Sequence, residues 1–219
     1  MILHKASLKK FVSVAIFSIA MAYLEAAVVV YLRMIFYPEG FQFPLKLMPT
    51  STLLIELGRE VSTIVMLVIV GFMAGKALLE KFFYFMFCFG MWDIFYYVWL
   101  KVMLDWPASL LTGDILFLIP VPWIGPVLAP VVVSLSMIIT SIWCIHLQDH
   151  GFELKLHKPI VLLAFLGVFV VFISFIWSSI TYSCQQPPNR FLWEVFISGK
   201  LLGVGSLLLI RRNKNKNMG

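Results

Sequence analysis

Three of the five carboxylates in the long apolar stretches of this sequence are candidates for chemistry, because an uncompensated charge there is costly. Glu25, Glu60 and Asp93 stand among aliphatic and aromatic residues. A charge at the centre of a membrane costs about 3 kcal/mol, so residues of this kind usually face a protein interior and serve a function. A carboxylate in such a setting can take or give a proton, which is general acid or base catalysis. We therefore predict Glu25, Glu60 and Asp93 as catalytic candidates.

Polar and charged residues in the same stretches, or close to them, are predicted to contact a substrate. Arg33, Arg59 and Lys101 could hold a phosphate or carboxylate headgroup, because guanidinium and ammonium groups bind such anions. The carboxylates could instead coordinate a divalent cation. The predicted substrate-binding residues are Arg33, Glu56, Arg59, Tyr97, Lys101, Asp114, Glu194 and Lys200.

Helical spacing places several of these residues on common faces. Residues three, four, seven or eight positions apart lie on one side of an α-helix. The two sets are Asp93, Tyr97 and Lys101, and Glu56, Arg59, Glu60 and Thr63. Polar faces on otherwise apolar helices are typical of surfaces that line the inside of a bundle. Because the acids and bases within the apolar stretches nearly balance, a network of structural ion pairs is the alternative to a site.

The elements that must position these residues are membrane helices. The chain has 219 residues, of which 61% are hydrophobic and only 13% charged, and its mean hydropathy is +0.96. Several apolar runs approach the ~20 residues that cross a bilayer. Open strands are excluded because they would leave backbone amides unpaired in lipid. We predict one all-α integral-membrane domain over residues 1–219, a six-helix transmembrane bundle with spans at 11–36, 53–79, 82–104, 124–147, 160–180 and 191–210.

Basic residues in the predicted loops give the orientation. The amino terminus, the second and fourth loops and the carboxyl-terminal tail hold most of them, whereas the opposite side has only Lys46 and Arg190. Basic loops stay on the cytoplasmic side. We therefore expect a bacterial-type cytoplasmic (inner) membrane protein with both termini cytoplasmic and the charged cluster in the outer half. The amino terminus has the outline of a signal peptide, but the apolar run continues to Phe36, so we expect no cleavage.

A proline-rich segment precedes the fourth predicted span. Prolines at 120, 122 and 126 resist a regular helix. We predict that residues 114–123 form a partly extended, re-entrant or interfacial segment on the outer face, which covers the charged cluster with Asp114 at its rim. An amphipathic loop on the bilayer surface is the alternative. Trp99 and Trp106 are interpreted as ordinary interfacial aromatic residues.

Other chemistry has weaker support in the sequence. His146 and His150 have the i, i+4 spacing of two metal ligands, but they lie at the exit of the fourth predicted span, where exposed interfacial histidines are the better interpretation. The motifs HExxH, GxSxG and GxGxxG and the P-loop are all absent. Cys88, Cys144 and Cys184 form no CxxC pair and are interpreted as packing residues.

Three functions fit these features. The preferred one is an enzyme that acts on a lipid or lipid-linked substrate from the outer side, since acids and bases beside aromatic rings suit an amphipathic substrate. The second is a transporter of ions, protons or small solutes, with Glu25, Asp93 and Lys200 as its sites. The third is a noncatalytic subunit of a membrane complex. Membrane lipids are the expected partners, further subunits and the oligomeric state stay open, nucleic acid is not expected, and no cofactor is assigned.

Overall fold

Helices dominate the structure, a computed structural model that describes residues 3–41, 48–181 and 191–214. The described residues contain six α-helices and four short β-strands. The helices are α1 (Lys5–Phe36), α2 (Thr50–Ala74), α3 (Leu78–Leu104), α4 (Leu128–Asp149), α5 (Lys158–Thr181) and α6 (Trp193–Leu208). The strands are β1 (Gly113–Phe117), β2 (Trp123–Pro126), β3 (Phe152–Lys155) and β4 (Arg211–Lys214).

Four helices are long and apolar enough to cross a membrane, which identifies an integral, multi-pass membrane protein. They are α1, α3, α4 and the Lys158–Trp177 part of α5. The other two differ from them for separate reasons. α6 has 16 residues, fewer than the ~20 that span a hydrocarbon core. α2 has 25 residues, but Glu56, Arg59 and Glu60 lie in its first half.

The chain divides into two compact units. The first contains Met1–Asp114 and Pro126–His146, and the second contains Ile115–Gly125 and Leu147–Gly219. In the first unit, α3 packs against both α1 and α2. α2 approaches α3 closely at Gly71, where an added Cβ would lie 2.6 Å from the Cα of Phe85. α4 also contacts α3, because Gly90 faces the backbone oxygen of Ser134. All residues of the candidate site described below belong to this unit.

The second unit is built on the pairing of α5 with α6. Their backbones meet at two glycines, and a Cβ on Gly199 would lie 2.8 Å from the backbone oxygen of Gly167. The loop after α4 and the basic tail form an antiparallel ribbon, in which β3 pairs with β4 and Lys155 lies opposite Arg211. The sequence predicted only a basic flank for the last span, so this ribbon is an addition to the prediction.

The proline-rich segment contains two strands, β1 and β2, which form a two-stranded sheet. The predicted start of the fourth helix at residue 124 is wrong, because Trp123–Pro126 is a strand and α4 begins at Leu128. Prolines at 120, 122 and 126 lack the amide hydrogen that a helix interior needs. Pro130 is tolerated because it lies in the first turn of α4, where backbone amides have no partner within the helix.

Candidate functional site

Arg33 and Asp114 form a buried ion pair in the first unit. Arg33 lies in the last turn of α1, and Asp114 is the second residue of β1. Arg33 Nη2 lies 3.1 Å from Asp114 Oδ1, and the hydroxyl of Tyr97 donates to Asp114 Oδ2 at 3.4 Å. The two residues are 8% and 2% exposed, respectively. The pair therefore joins α1 to the residues that follow α3, out of contact with solvent.

Two aromatic rings border the Arg33 guanidinium. Its Cζ lies 3.7 Å from the ring centroid of Trp106 and 4.6 Å from that of Phe41. The two rings meet edge to face, with centroids 6.0 Å apart. Stacking on aromatic rings favours arginine over lysine at such a position, because the guanidinium is planar and weakly hydrated.

The turn after α3 positions Trp106. Asp105 adopts the left-handed conformation, with φ of 52°, and its amide donates to the Lys101 oxygen at 3.0 Å. Lys101 Nζ donates to the backbone oxygens of Asp105 and Pro107, each at 3.2 Å. Lys101 Nζ also lies 2.7 Å from Asp105 Oδ1. This contact lowers the pKa of the exposed Asp105 carboxyl. Lys101 thus fixes the loop that carries Trp106, and the structure does not bring its ammonium to the buried carboxylates.

A second cluster connects α1 with α2 through Arg59. The Arg59 Nη1 group bonds to Glu25 on α1, and Arg59 Nη2 lies 2.7 Å from Glu56 Oε2. Thr63 donates its hydroxyl to Glu25 Oε2 at 3.0 Å. Glu60 is also buried and lies within electrostatic range of Arg59. The predicted polar face of α2 therefore meets α1.

Asp93 joins α3 to α4. Its Oδ2 accepts a hydrogen bond from Ser134 Oγ at 2.8 Å. The structure thus places the predicted residues in three groups, which are Glu25, Glu56 and Arg59 with the buried Glu60, then Arg33, Tyr97 and Asp114, and finally Asp93 with Ser134.

The other predicted residues differ in exposure and in the unit to which they belong. Glu194, in the first turn of α6, is exposed, and Lys200 is partly buried; both belong to the second unit. His146 is partly buried and His150 is exposed. Within the described parts of the chain, no group of three or more His, Cys, Asp and Glu residues could hold a metal ion.

The buried cluster of the first unit is acidic. Lys101, one of the bases in the predicted balance of charges, bonds to the loop after α3. The two arginines of the cluster each contact at least one carboxylate. The acidic residues are Glu25, Glu56, Glu60 and Asp114, which are buried, and Asp93, which is half-buried. The arrangement therefore suits proton transfer better than the binding of a strongly anionic group.

Sequence reasoning missed two residues of this site. Trp106 was assigned to the membrane interface, yet its ring covers Arg33. The sequence signal for this role was the position of Trp106 two residues after the end of α3, whose last turn carries Lys101. Ser134 was not singled out, although it is a buried hydroxyl that donates to Asp93. A serine in an apolar helix is common, so its type alone carried little information.

Comparison of the chain with protein-family models, curated proteins and solved structures finds no match. Function therefore has to be argued from the chemistry of the site.

Proposed function

We propose that this chain is an intramembrane enzyme that acts on a lipid or lipid-linked substrate from the outer half of a bacterial-type cytoplasmic membrane. The observations that carry the proposal are two buried ion-pair groups of the first unit. Arg33 pairs with Asp114 beside two aromatic rings, and Arg59 pairs with Glu25 and Glu56. An amphipathic substrate needs an apolar environment for its chains and polar groups at its reacting end, and this site offers both.

The proposed topology has six spans with both termini in the cytoplasm. The distribution of basic residues in the loops supports this orientation. The charges of α2 are compatible with a crossing, because Arg59 pairs with Glu25 and Glu56 instead of facing lipid. Under this topology the Arg33 end of α1 and the loop after α3 lie toward the outside.

We assign different roles to the carboxylates of the site. Glu25 accepts hydrogen bonds from both Arg59 and Thr63, an arrangement that suits a positioning role. Glu60 and Asp93 are the proposed general acid and base. Asp93 is oriented by the Ser134 hydroxyl, and Glu60 is buried near Arg59. Removal of a general acid or base typically reduces a rate by about 10²–10⁴-fold.

The test uses purified full-length protein in vesicles made from a total bacterial lipid extract, with products followed by mass spectrometry. Wild type should convert a lipid of the extract, whereas Glu60→Gln or Asp93→Asn should reduce the rate about 100-fold or more while the protein stays folded. Lys10→Gln is the matched control, since it removes an ion pair with Glu80 away from the site. Unchanged rates in both site variants would remove these residues from the mechanism.

A proton-coupled transporter is the second candidate, and the excess of buried carboxylates favours it. Acidic groups at membrane depth commonly carry protons in pumps and transporters. The same vesicles, loaded with a pH-sensitive dye, separate the two functions. Proton movement without a lipid product would support transport, whereas a product without proton movement would support the enzyme.

A further inference from the structure

One polar atom of the site is buried without a hydrogen-bond partner. Among the residues that the structure describes, Arg33 Nη1 bonds to no acceptor, although Nη2 of the same group pairs with Asp114. A buried donor left unsatisfied is costly, because it has lost its hydrogen bond to water and gained none in the protein. Such a group in a candidate site is an indication that a ligand supplies the acceptor.

The surroundings of Arg33 limit how this acceptor arrives. Trp106 and Phe41 border the guanidinium from two sides, and Asp114 occupies the Nη2 edge. The Nη1 edge remains for the ligand. Since the two bordering rings are apolar, the acceptor must belong to a molecule that tolerates aromatic contact next to its polar atom.

Charge decides which acceptor fits. The Arg33 charge is already compensated by Asp114 at 3.1 Å, and Asp93 lies within electrostatic range of Asp114. A phosphate brought to Nη1 would give this buried group a net negative charge, because Asp114 already compensates the charge of Arg33. An uncharged oxygen satisfies the same donor without that repulsion.

From this geometry we infer that Arg33 Nη1 donates to an uncharged oxygen, a hydroxyl or carbonyl, in the headgroup region of an uncharged lipid. The inference rests on the proposed function in one respect, namely that the site takes a lipid-like substrate. It goes further by naming the chemical class of the headgroup and the atom that binds it, and it excludes an anionic phosphate from this position.

The test measures lipid retention by native mass spectrometry of the full-length protein in detergent. The probes are monoglucosyl diacylglycerol and phosphatidylglycerol with the same acyl chains, and free glucose separates a lipid headgroup from a soluble polyol. Wild type should retain the glucosyl lipid in preference to phosphatidylglycerol. Arg33→Lys keeps the positive charge beside Asp114 but loses the second amino group, so the affinity for the glucosyl lipid should fall about tenfold or more. Lys10→Gln should bind as wild type does.

Each outcome has a defined meaning. Tighter retention of phosphatidylglycerol by wild type would overturn the inference, and this comparison needs no variant to fold. A folded Arg33→Lys protein with unchanged affinity for the glucosyl lipid would also overturn it, while lipid turnover that depends on Glu60 and Asp93 would leave the proposed function intact. Binding of free glucose as tight as that of the lipid would contradict a lipid source. Absence of binding by any lipid would overturn the inference and count against the proposed function as well.

Discussion

Arg59 shows how pairing with carboxylates stabilises a charged side chain inside this protein. Its guanidinium contacts Glu25 on α1 and Glu56 on its own helix, so loss of either acid leaves one partner in place. Loss of Arg59 instead leaves two buried carboxylates facing each other without a cation. Breaking a buried pair from one side is costly mainly because of the charge that stays behind. The consequences of removing Arg59 and Glu56 should therefore be unequal.

We predict that Arg59→Gln lowers the free energy of unfolding by about 3 kcal/mol, the lower end for a broken buried pair, since the Arg59 side chain is 21% exposed. Glu56 accepts from both Nε and Nη2 of Arg59, and because glutamine keeps an acceptor oxygen, Glu56→Gln should cost only about 1 kcal/mol. The double variant Arg59→Gln/Glu25→Gln should lose less than Arg59→Gln alone, because one uncompensated carboxylate is gone. Thermal unfolding in detergent measures all three. Equal losses for Arg59→Gln and Glu56→Gln would mean that Arg59 does not hold the two acids together.

At the scale of the helices, α2 owes its position to a close backbone approach. Gly71 faces the backbone of Phe85 on α3, and there is no room for a side chain between them. Gly58 lies on the same helix, but no atom lies within 4 Å of an added Cβ there. The two glycines therefore form a matched pair for testing whether α2 and α3 pack in this way.

Gly71→Ala should destabilise the protein by about 1–3 kcal/mol, the usual cost of overpacking a tight contact. Gly58→Ala should leave stability unchanged or raise it slightly, because alanine favours a helix by about 1 kcal/mol over glycine. Chemical unfolding of both variants in the same detergent provides the comparison. If Gly71→Ala were as stable as Gly58→Ala, the close contact between α2 and α3 would be contradicted.

Periodicity and composition were sufficient to predict helices, because long apolar runs in lipid leave few alternatives. The polar face of Glu56, Arg59, Glu60 and Thr63 also follows from spacing alone. Spacing does not predict which helix contacts that face, because a sequence gives no information on the rotation of α1 relative to α2. Two further features were out of reach for the same reason: the strand at Trp123–Pro126 depends on pairing with β1, and the role of Trp106 depends on how the chain turns after α3.

At the scale of the whole molecule, the division into two units separates charges that the sequence grouped together. Lys200 and Glu194 belong to the second unit, and the buried acids belong to the first. Under the six-span topology, the crossing of α2 is what brings Arg59 to Glu25 within the membrane. The direction in which α2 crosses is therefore the property of the molecule that most affects the proposed site.

Single cysteines in exposed positions test the crossing of α2 in intact bacterial cells. The background variant is Cys184→Ser, and Cys88 and Cys144 are kept because both are buried. Glu39→Cys lies before α2 and Ala108→Cys follows α3, while Lys76→Cys and Lys155→Cys lie in the loops after α2 and α4. A membrane-impermeant maleimide should label the first two in intact cells and the last two only after permeabilisation, because basic loops remain cytoplasmic. Labelling of Glu39→Cys and Lys76→Cys from the same side would mean that α2 does not cross, and Arg59 would then pair with Glu25 at the membrane surface.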